Sequence, residues 1–165
     1  VSPSGRGWSV VPADWVCGGA GGVVGGATRA RGARMAGQVG GGVPGGARVL
    51  AVVQPRIVQE DYQLIFVLNA NRPEVRDAES AAAYLRSIEA VTGLTCSGLV
   101  NNTHLCGETT PAEIRKGAAL AQEVSRQTGI PILCHTAERR FLESLSDLGE
   151  PVFPIAINMK KPWER

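Results

Sequence analysis

Three polar stretches of this 165-residue chain could do chemistry: Asn69-Ala70-Asn71-Arg72, Asn101-Asn102-Thr103-His104 and Cys134-His135-Thr136-Ala137-Glu138. Each directly follows an apolar run. An amide carries donors and acceptors, a hydroxyl does both on one oxygen, and a neutral imidazole offers one of each. Such groups suit hydrogen-bond recognition of a small polar ligand. Two rival chemistries are weaker. A metal site from Cys96, His104, Cys106, Cys134 and His135 lacks every standard zinc spacing, because His104 and Cys106 are two apart and Cys134 and His135 are adjacent. No metal ligand is therefore expected, and the four cysteines, Cys17 included, read as reduced and mostly buried thiols. His104 and His135 have no Ser/His/Asp or comparable partners to activate, so no catalytic residue is expected and an enzyme built on the Cys/His loops is the weakest reading.

The elements that must position these groups are legible. "DYQLIFVLN" (61–69) is a short branched and aromatic run, suited to a strand buried on both faces. Residues 73–93 follow as a helix, with Ala81, Tyr84, Leu85, Ile88 and Val91 inward, Asp77, Glu79 and Glu89 outward, and Gly93 past its end. "LTCSGLVNN" (94–102) is the next strand. The helix after it starts at Thr110-Pro111, with Glu113 completing a capping box, presents Ile114, Ala118, Ala121 and Val124 inward, and ends at Gly129. "IPILCHT" (130–136) is a strand, "AERRFLESLSDLG" (137–149) a shorter helix with Phe141, Leu142 and Leu145 inward, and "PVFPIAIN" (151–158) an edge strand because of its prolines. The order β-α-β-α-β-α-β specifies an α/β fold. The expectation is a partial three-layer parallel sheet of about four strands with flanking helices, whose carboxyl ends gather the three polar stretches at one edge.

Composition bounds the rest. Apolar residues at 44% and charged residues at 19% are ordinary for a globular protein, and a net charge of +2 calls for no nucleic-acid partner. No apolar run is long enough for a membrane span and no signal peptide is evident, so a cytoplasmic protein is expected. The chain divides near residue 46. Residues 1–46 hold most of the 21 glycines and one acidic residue, Asp14. They lack helical or strand periodicity, and disorder or poorly packed coil is expected for most of residues 1–44. They hold no lysine, so they make no phosphate-binding P-loop, and Arg29, Arg31 and Arg34 lack the interleaved aromatics of a single-strand binder. A GC-rich gene translated out of frame or from a wrong start yields such composition, and we read this half so. Residues 47–165 are the folded part.

From about Gly46 to Pro162 the chain resembles the C-terminal part of a MinD/ParA-type P-loop ATPase, the CobQ/CobB/MinD/ParA nucleotide-binding domain. "LIFVLNANRPEVRDAESAAAYL" is similar to the family's strand, Asn-Pro-Glu-like turn and helix. "TGLTCSGLVNN" resembles the strand that ends at the nucleotide base, and "GIPILCHTAERRFLESL" the strand whose end loop flanks it. The resemblance implies a P-loop NTPase-like sheet and ATP as the ligand. It makes Asn102, fifth residue counted from Gly98, the base-reading amide, and places Thr103, His104, His135 and Thr136 around base or ribose. An amide can pair with adenine N6 and N7 together. Asn101 then faces the other side of its strand and is structural. The Gly-Lys-Gly-Gly-x-Gly-Lys-Thr/Ser sequence and the aspartate of the second acidic motif are absent, so no Mg²⁺ site and no hydrolysis by this chain alone are expected. A truncated or mis-started gene of a full ATPase is the origin this implies. The alternative is a non-catalytic interaction module, whose exposed sheet edge docks a second copy or another protein subunit. For the amides themselves the alternative is Asx-turns that satisfy loop backbone. Arg139, Arg140, Lys160 and Lys161 read as solvated surface.

Overall fold

The computed structural model of the protein describes residues 23–30, 33–39, 46–59 and 61–156. The expectations for residues 1–22, for Lys160 and Lys161 and for the rest of the C-terminal tail lie outside these. The chain forms β1 (Val23–Ala30), β2 (Ala33–Val39), α1 (Gly46–Ile57), β3 (Asp61–Leu68), α2 (Ala78–Thr92), β4 (Cys96–Asn101), α3 (Pro111–Thr128), β5 (Ile132–Glu138) and β6 (Val152–Ile155). The six strands make one sheet in the order β2-β1-β3-β4-β5-β6. Strands β3 to β6 run parallel, and β1 joins β3 and β2 in antiparallel pairing. The α/β sheet of four parallel strands is as the sequence implies. No helix among the described residues is long and apolar enough to cross a membrane.

The helix ends follow local chemistry. Asp77 caps α2 by accepting from Ser80 N–H, and the carboxyl is held below its usual value chiefly by that bond. Thr110 caps α3 by accepting from Glu113 N–H, with Pro111 in the first turn. Gly93 and Gly129 close the two helices at φ 66° and 75°, a region that costs a β-carbon-bearing residue about 1 kcal/mol or more. The capping box is only half made. The Glu113 carboxylate turns toward Lys116 Nζ, 3.8 Å away, rather than back to the Thr110 N–H. Glu89, expected on the outer face of α2, instead accepts from Cys96 N–H at 2.7 Å and so ties the end of α2 to the start of β4. Val91 is 39% exposed, and Thr92 is buried in its place, its hydroxyl bonded to Ile88 C=O.

The helices occupy one face of the sheet. Leu64, Phe66 and Leu68 of β3 and Leu99 of β4 pack with Ala81, Leu85 and Ile88 of α2 and with Ala121 and Val124 of α3, while Ile57 of α1 lies against the same cluster. This is a two-layer arrangement among the described residues, against the three layers expected. The cause is strand order. Each right-handed crossover from β3 to β4 to β5 steps the same way along the sheet, so each helix lands on the same side; a third layer needs the order to reverse. On the other face Ile65, Val67, Val100, Leu133 and Phe153 are half-buried. Register places Ile65 beside Gly98, Val67 beside Val100, Val100 beside Cys134 and Thr136 beside Phe153.

Two further segments depart from expectation. The glycine-rich residues 23–30 and 33–39, expected as coil, form β1 and β2, which pair with each other, and β1 pairs with β3. An eight-residue parallel edge strand offers a full row of backbone donors and acceptors, and pairing with them requires no side chain. The outer edge of β3 is therefore covered, and the sheet edges are β2 and β6. Residues 139–145, expected as helix, are two 3₁₀ turns, Arg139–Phe141 and Glu143–Leu145. Ser144 and Ser146 donate their hydroxyls to the Phe141 and Glu143 carbonyls, competing with a regular helical ladder. Leu145 still anchors the segment against Ile114 and Ala137.

Candidate functional site

The carboxyl ends of β3, β4 and β5 do gather the three polar stretches. At their centre Asn101 is wholly buried. Its Nδ2 donates to Ile114 C=O in the first turn of α3 (3.1 Å) and faces His135 Nδ1 (3.2 Å), while its Oδ1 accepts from Thr103 N–H (3.0 Å) in an Asx-turn. These bonds orient the amide, so the nitrogen is the donor toward His135. The imidazole therefore carries its proton on Nε2 and donates it to Glu150 Oε2 at 3.1 Å. His135, also wholly buried, thus links β4 to the turn that leads into β6, and its own backbone N–H donates to Pro151 C=O. The structural role expected for Asn101 is the one observed. His135, placed by the resemblance beside a base, has both ring nitrogens engaged within the protein.

Thr103 is 1% exposed, and its hydroxyl accepts from Ala70 N–H at 3.0 Å, joining the end of β3 to that of β4. Helix α3 lies close over this corner at Gly117. A β-carbon there would stand 2.0 Å from Thr103 Oγ1 and 2.3 Å from Asn101 Oδ1, so only glycine lets the helix backbone approach. Gly98 serves the helix-free face in the same way, where Leu133 rests on its backbone.

Asn102 and Thr136 meet on the opposite face, beyond Val100 and Cys134. Asn102 N–H continues the ladder to Leu68 C=O (2.8 Å), and Thr136 Oγ1 donates to Asn102 Oδ1 at 2.6 Å. Asn102 is 7% exposed; its Nδ2 has no hydrogen bond to a described residue and keeps solvent contact. Of the five residues singled out in sequence, these two form the pair with an open donor.

His104 sits apart, in the loop between β4 and α3. Its carbonyl accepts from Asn69 Nδ2 (3.3 Å), and its Nδ1 accepts from Cys106 N–H (3.3 Å), where Cys106 takes φ 52°. Thr109 Oγ1 accepts from Leu105 N–H and donates to Cys106 C=O, so the loop is tightly self-bonded. Burial first, and then the Arg72 guanidinium, hold the His104 imidazole below the ordinary value of 6.5. The unfolded chain then binds a proton more readily than the folded one. Stability from this group is complete above about 6.5 and is lost as the pH falls below it. Urea titrations at pH 7 and pH 5 are expected to show a smaller loss for His104→Asn than for the parent; equal losses would remove His104 as a source of acid sensitivity.

Sequence reasoning missed Lys116 and its pairing with Asn71 of the first polar stretch. Lys116 Nζ donates to Asn71 Oδ1 at 3.0 Å, bringing one cation to the strand ends, while Asn71 Nδ2 is buried without a hydrogen-bond partner. The only sequence signal was the position of Lys116, one turn into a helix that follows a polar strand end. Cys96 and Cys134 are pushed up by burial, away from the thiolate form that metal binding and nucleophilic attack need. Among the described residues no three His, Cys, Asp or Glu side chains cluster to hold a metal ion. Comparison of the chain with protein-family models, with curated proteins and with solved structures finds no match.

Proposed function

We propose that residues 47–165 are the base-reading part of a nucleotide-binding domain of MinD/ParA type, with ATP the nucleotide that the resemblance implies, and that this chain alone does not hydrolyse it. On this reading β3 to β6 are a consecutive run of a P-loop NTPase-like sheet, and the glycine-rich residues 1–46 take no part in the site. The observation that carries it is Asn102. Its amide stands at a strand's carboxyl end, the edge where open α/β sheets take ligands, with Nδ2 unpartnered. Strands β3 to β6 follow one another in sequence order, so the described sheet has one flank of a crevice and no reversal to form the other. A base contact without a phosphate cradle is what such a sheet can supply.

Titration calorimetry and thermal shift with AMP, ADP, ATP and GTP, with and without Mg²⁺, test it. Binding no tighter than about 0.1 mM is expected, nearly independent of phosphate number and of Mg²⁺. Asn102→Ala should weaken it about threefold to tenfold, the worth of one or two neutral hydrogen bonds. No response to any nucleotide would end this reading. A second reading, a protein-interaction module for a second copy or another subunit, is favoured by the half-buried Ile65, Val67, Val100, Leu133 and Phe153 on the face without helices. Concentration-dependent sedimentation together with silence toward nucleotides would select it.

A further inference from the structure

We propose that the loop of residues 105–109, between β4 and α3, is a proton-operated latch, closed while the His104 imidazole is neutral and released when the ring takes up a proton. The proposal is independent of any ligand at Asn102. The latch is the bond from Cys106 N–H to His104 Nδ1 at 3.3 Å. A ring nitrogen accepts a hydrogen bond only while it carries no proton, so this bond needs the neutral ring with its proton on Nε2. Protonation would set an N–H on Nδ1 against the Cys106 N–H. Cys106 holds φ 52°, which costs a residue with a β-carbon about 1 kcal/mol or more, so the loop depends on bonds that keep it there.

The loop's other hydrogen bonds join its own residues. Leu105 N–H donates to Thr109 Oγ1, Thr109 Oγ1 and N–H both donate to Cys106 C=O, and Glu108 N–H donates to Leu105 C=O. The imidazole is thus what ties Cys106 to the strand end. The two ends stay fixed without it: Asn69 Nδ2 holds the His104 carbonyl, and Thr110 caps α3. At the tip a β-carbon on Gly107 would meet nothing within 4 Å, so the loop has room to move. The charged side chains on the neighbouring segments are Arg72 and Glu74 after β3, Glu108 in the loop, and Glu113 and Lys116 at the start of α3. Of these Arg72 acts on the ring, and it opposes a second positive charge; Glu113 faces Lys116 instead. Burial and Arg72 hold the closed ring below 6.5, the ordinary value that a released ring regains. The released loop therefore binds a proton more tightly than the closed one, and release is favoured as the pH falls through 6.5.

Native-state hydrogen exchange of the full chain tests it, read as protection factors so that the intrinsic pH dependence of exchange is removed. Between pH 7.5 and pH 5.5 the Leu105, Cys106, Glu108 and Thr109 amides are expected to lose about threefold to tenfold in protection, while Ala118 and Ala121 in α3 lose less. In His104→Asn an amide oxygen replaces Nδ1 and cannot be protonated, so the loop's pH dependence should vanish. Arg72→Gln removes one of the two causes that oppose the charged ring, so the loss should shrink. A ring that merely fills space would leave loop protection equal at both pH values, and that result overturns the latch. So does a fall shared in equal proportion by α3, which is global loosening, or one that survives in His104→Asn. If the asparagine variant does not fold, the parent decides alone. The ¹⁵N signals of the His104 ring and of the Cys106 amide should titrate with one midpoint, and separate midpoints overturn the proposal.

Discussion

Gly117→Ala is expected to destabilise the fold by about 2–3 kcal/mol, the upper part of the usual cost of overpacking. Helix propensity alone predicts the opposite sign. Alanine inside a helix is favoured over glycine by about 1 kcal/mol, so any loss must overcome that gain. The source of the loss is geometric. The new methyl would lie 2.0 Å from Thr103 Oγ1, 2.3 Å from Asn101 Oδ1 and 2.5 Å from Thr103 Cβ. Neither side chain is a flexible tip that can move aside. Thr103 Oγ1 holds Ala70 N–H, and Asn101 Oδ1 holds Thr103 N–H. Relief must come from shifting α3 outward, which loosens Ala118, Ala121 and Val124 against the sheet. Urea denaturation measures the effect, with Gly149→Ala as reference, since a β-carbon at 149 meets nothing within 4 Å. The reference should stay within about 0.5 kcal/mol of the parent. If Gly117→Ala is equally silent, α3 does not press on the end of β4 as described.

This glycine shows where the sequence could be read and where it could not. The limits of α3 were legible because Thr110, Pro111 and Gly129 act on the backbone next to them, and its inner face was legible because Ile114, Ala118, Ala121 and Val124 recur at helical spacing. Nothing local says what a glycine in mid-helix faces. Asn101 was legible as structural once the resemblance set Asn102 toward a ligand and strand alternation turned its neighbour away, but its partner His135 lies 34 residues on. That pairing depends on a parallel register that shifts between Leu99 and Val100, a feature of packing rather than of composition. The polar character of Asn102 and Thr136 was visible, while the direction of the amide was not, because it is set by the hydroxyl across the strands. The β1–β2 pair escaped notice for a different reason. Its pairing is made by the backbone on the edge of β3, and glycine-rich sequence carries no periodicity to announce it.

Asn101→Ala should cost about 3 kcal/mol and Asn101→Asp should make stability depend on pH in a direction opposite to that from His104. Removing the amide leaves the Thr103 N–H and His135 Nδ1 without their partners and strips the Ile114 carbonyl of its side-chain donor. Buried groups orphaned in this way cost about 1–3 kcal/mol each, partly offset where the loop relaxes. The aspartate substitution keeps shape and tests the assignment of donor and acceptor. It retains an oxygen for Thr103 N–H but turns the other arm from donor to acceptor, facing the Ile114 carbonyl and the acceptor nitrogen of His135. Acceptor against acceptor in a wholly buried corner is relieved by taking up a proton, on the new carboxylate or on the imidazole beside it. The folded state then binds more protons than the unfolded one, so stability falls as the pH rises. The parent amide needs no such proton, and the alanine variant has no group to bind one at that position. Urea midpoints for the parent and both variants between pH 5 and pH 8 separate the cases. A carboxylate variant whose stability rises with pH like that of the parent would show that Nδ2 does not face His135 Nδ1, and with it the tautomer that joins His135 to Glu150 would fall.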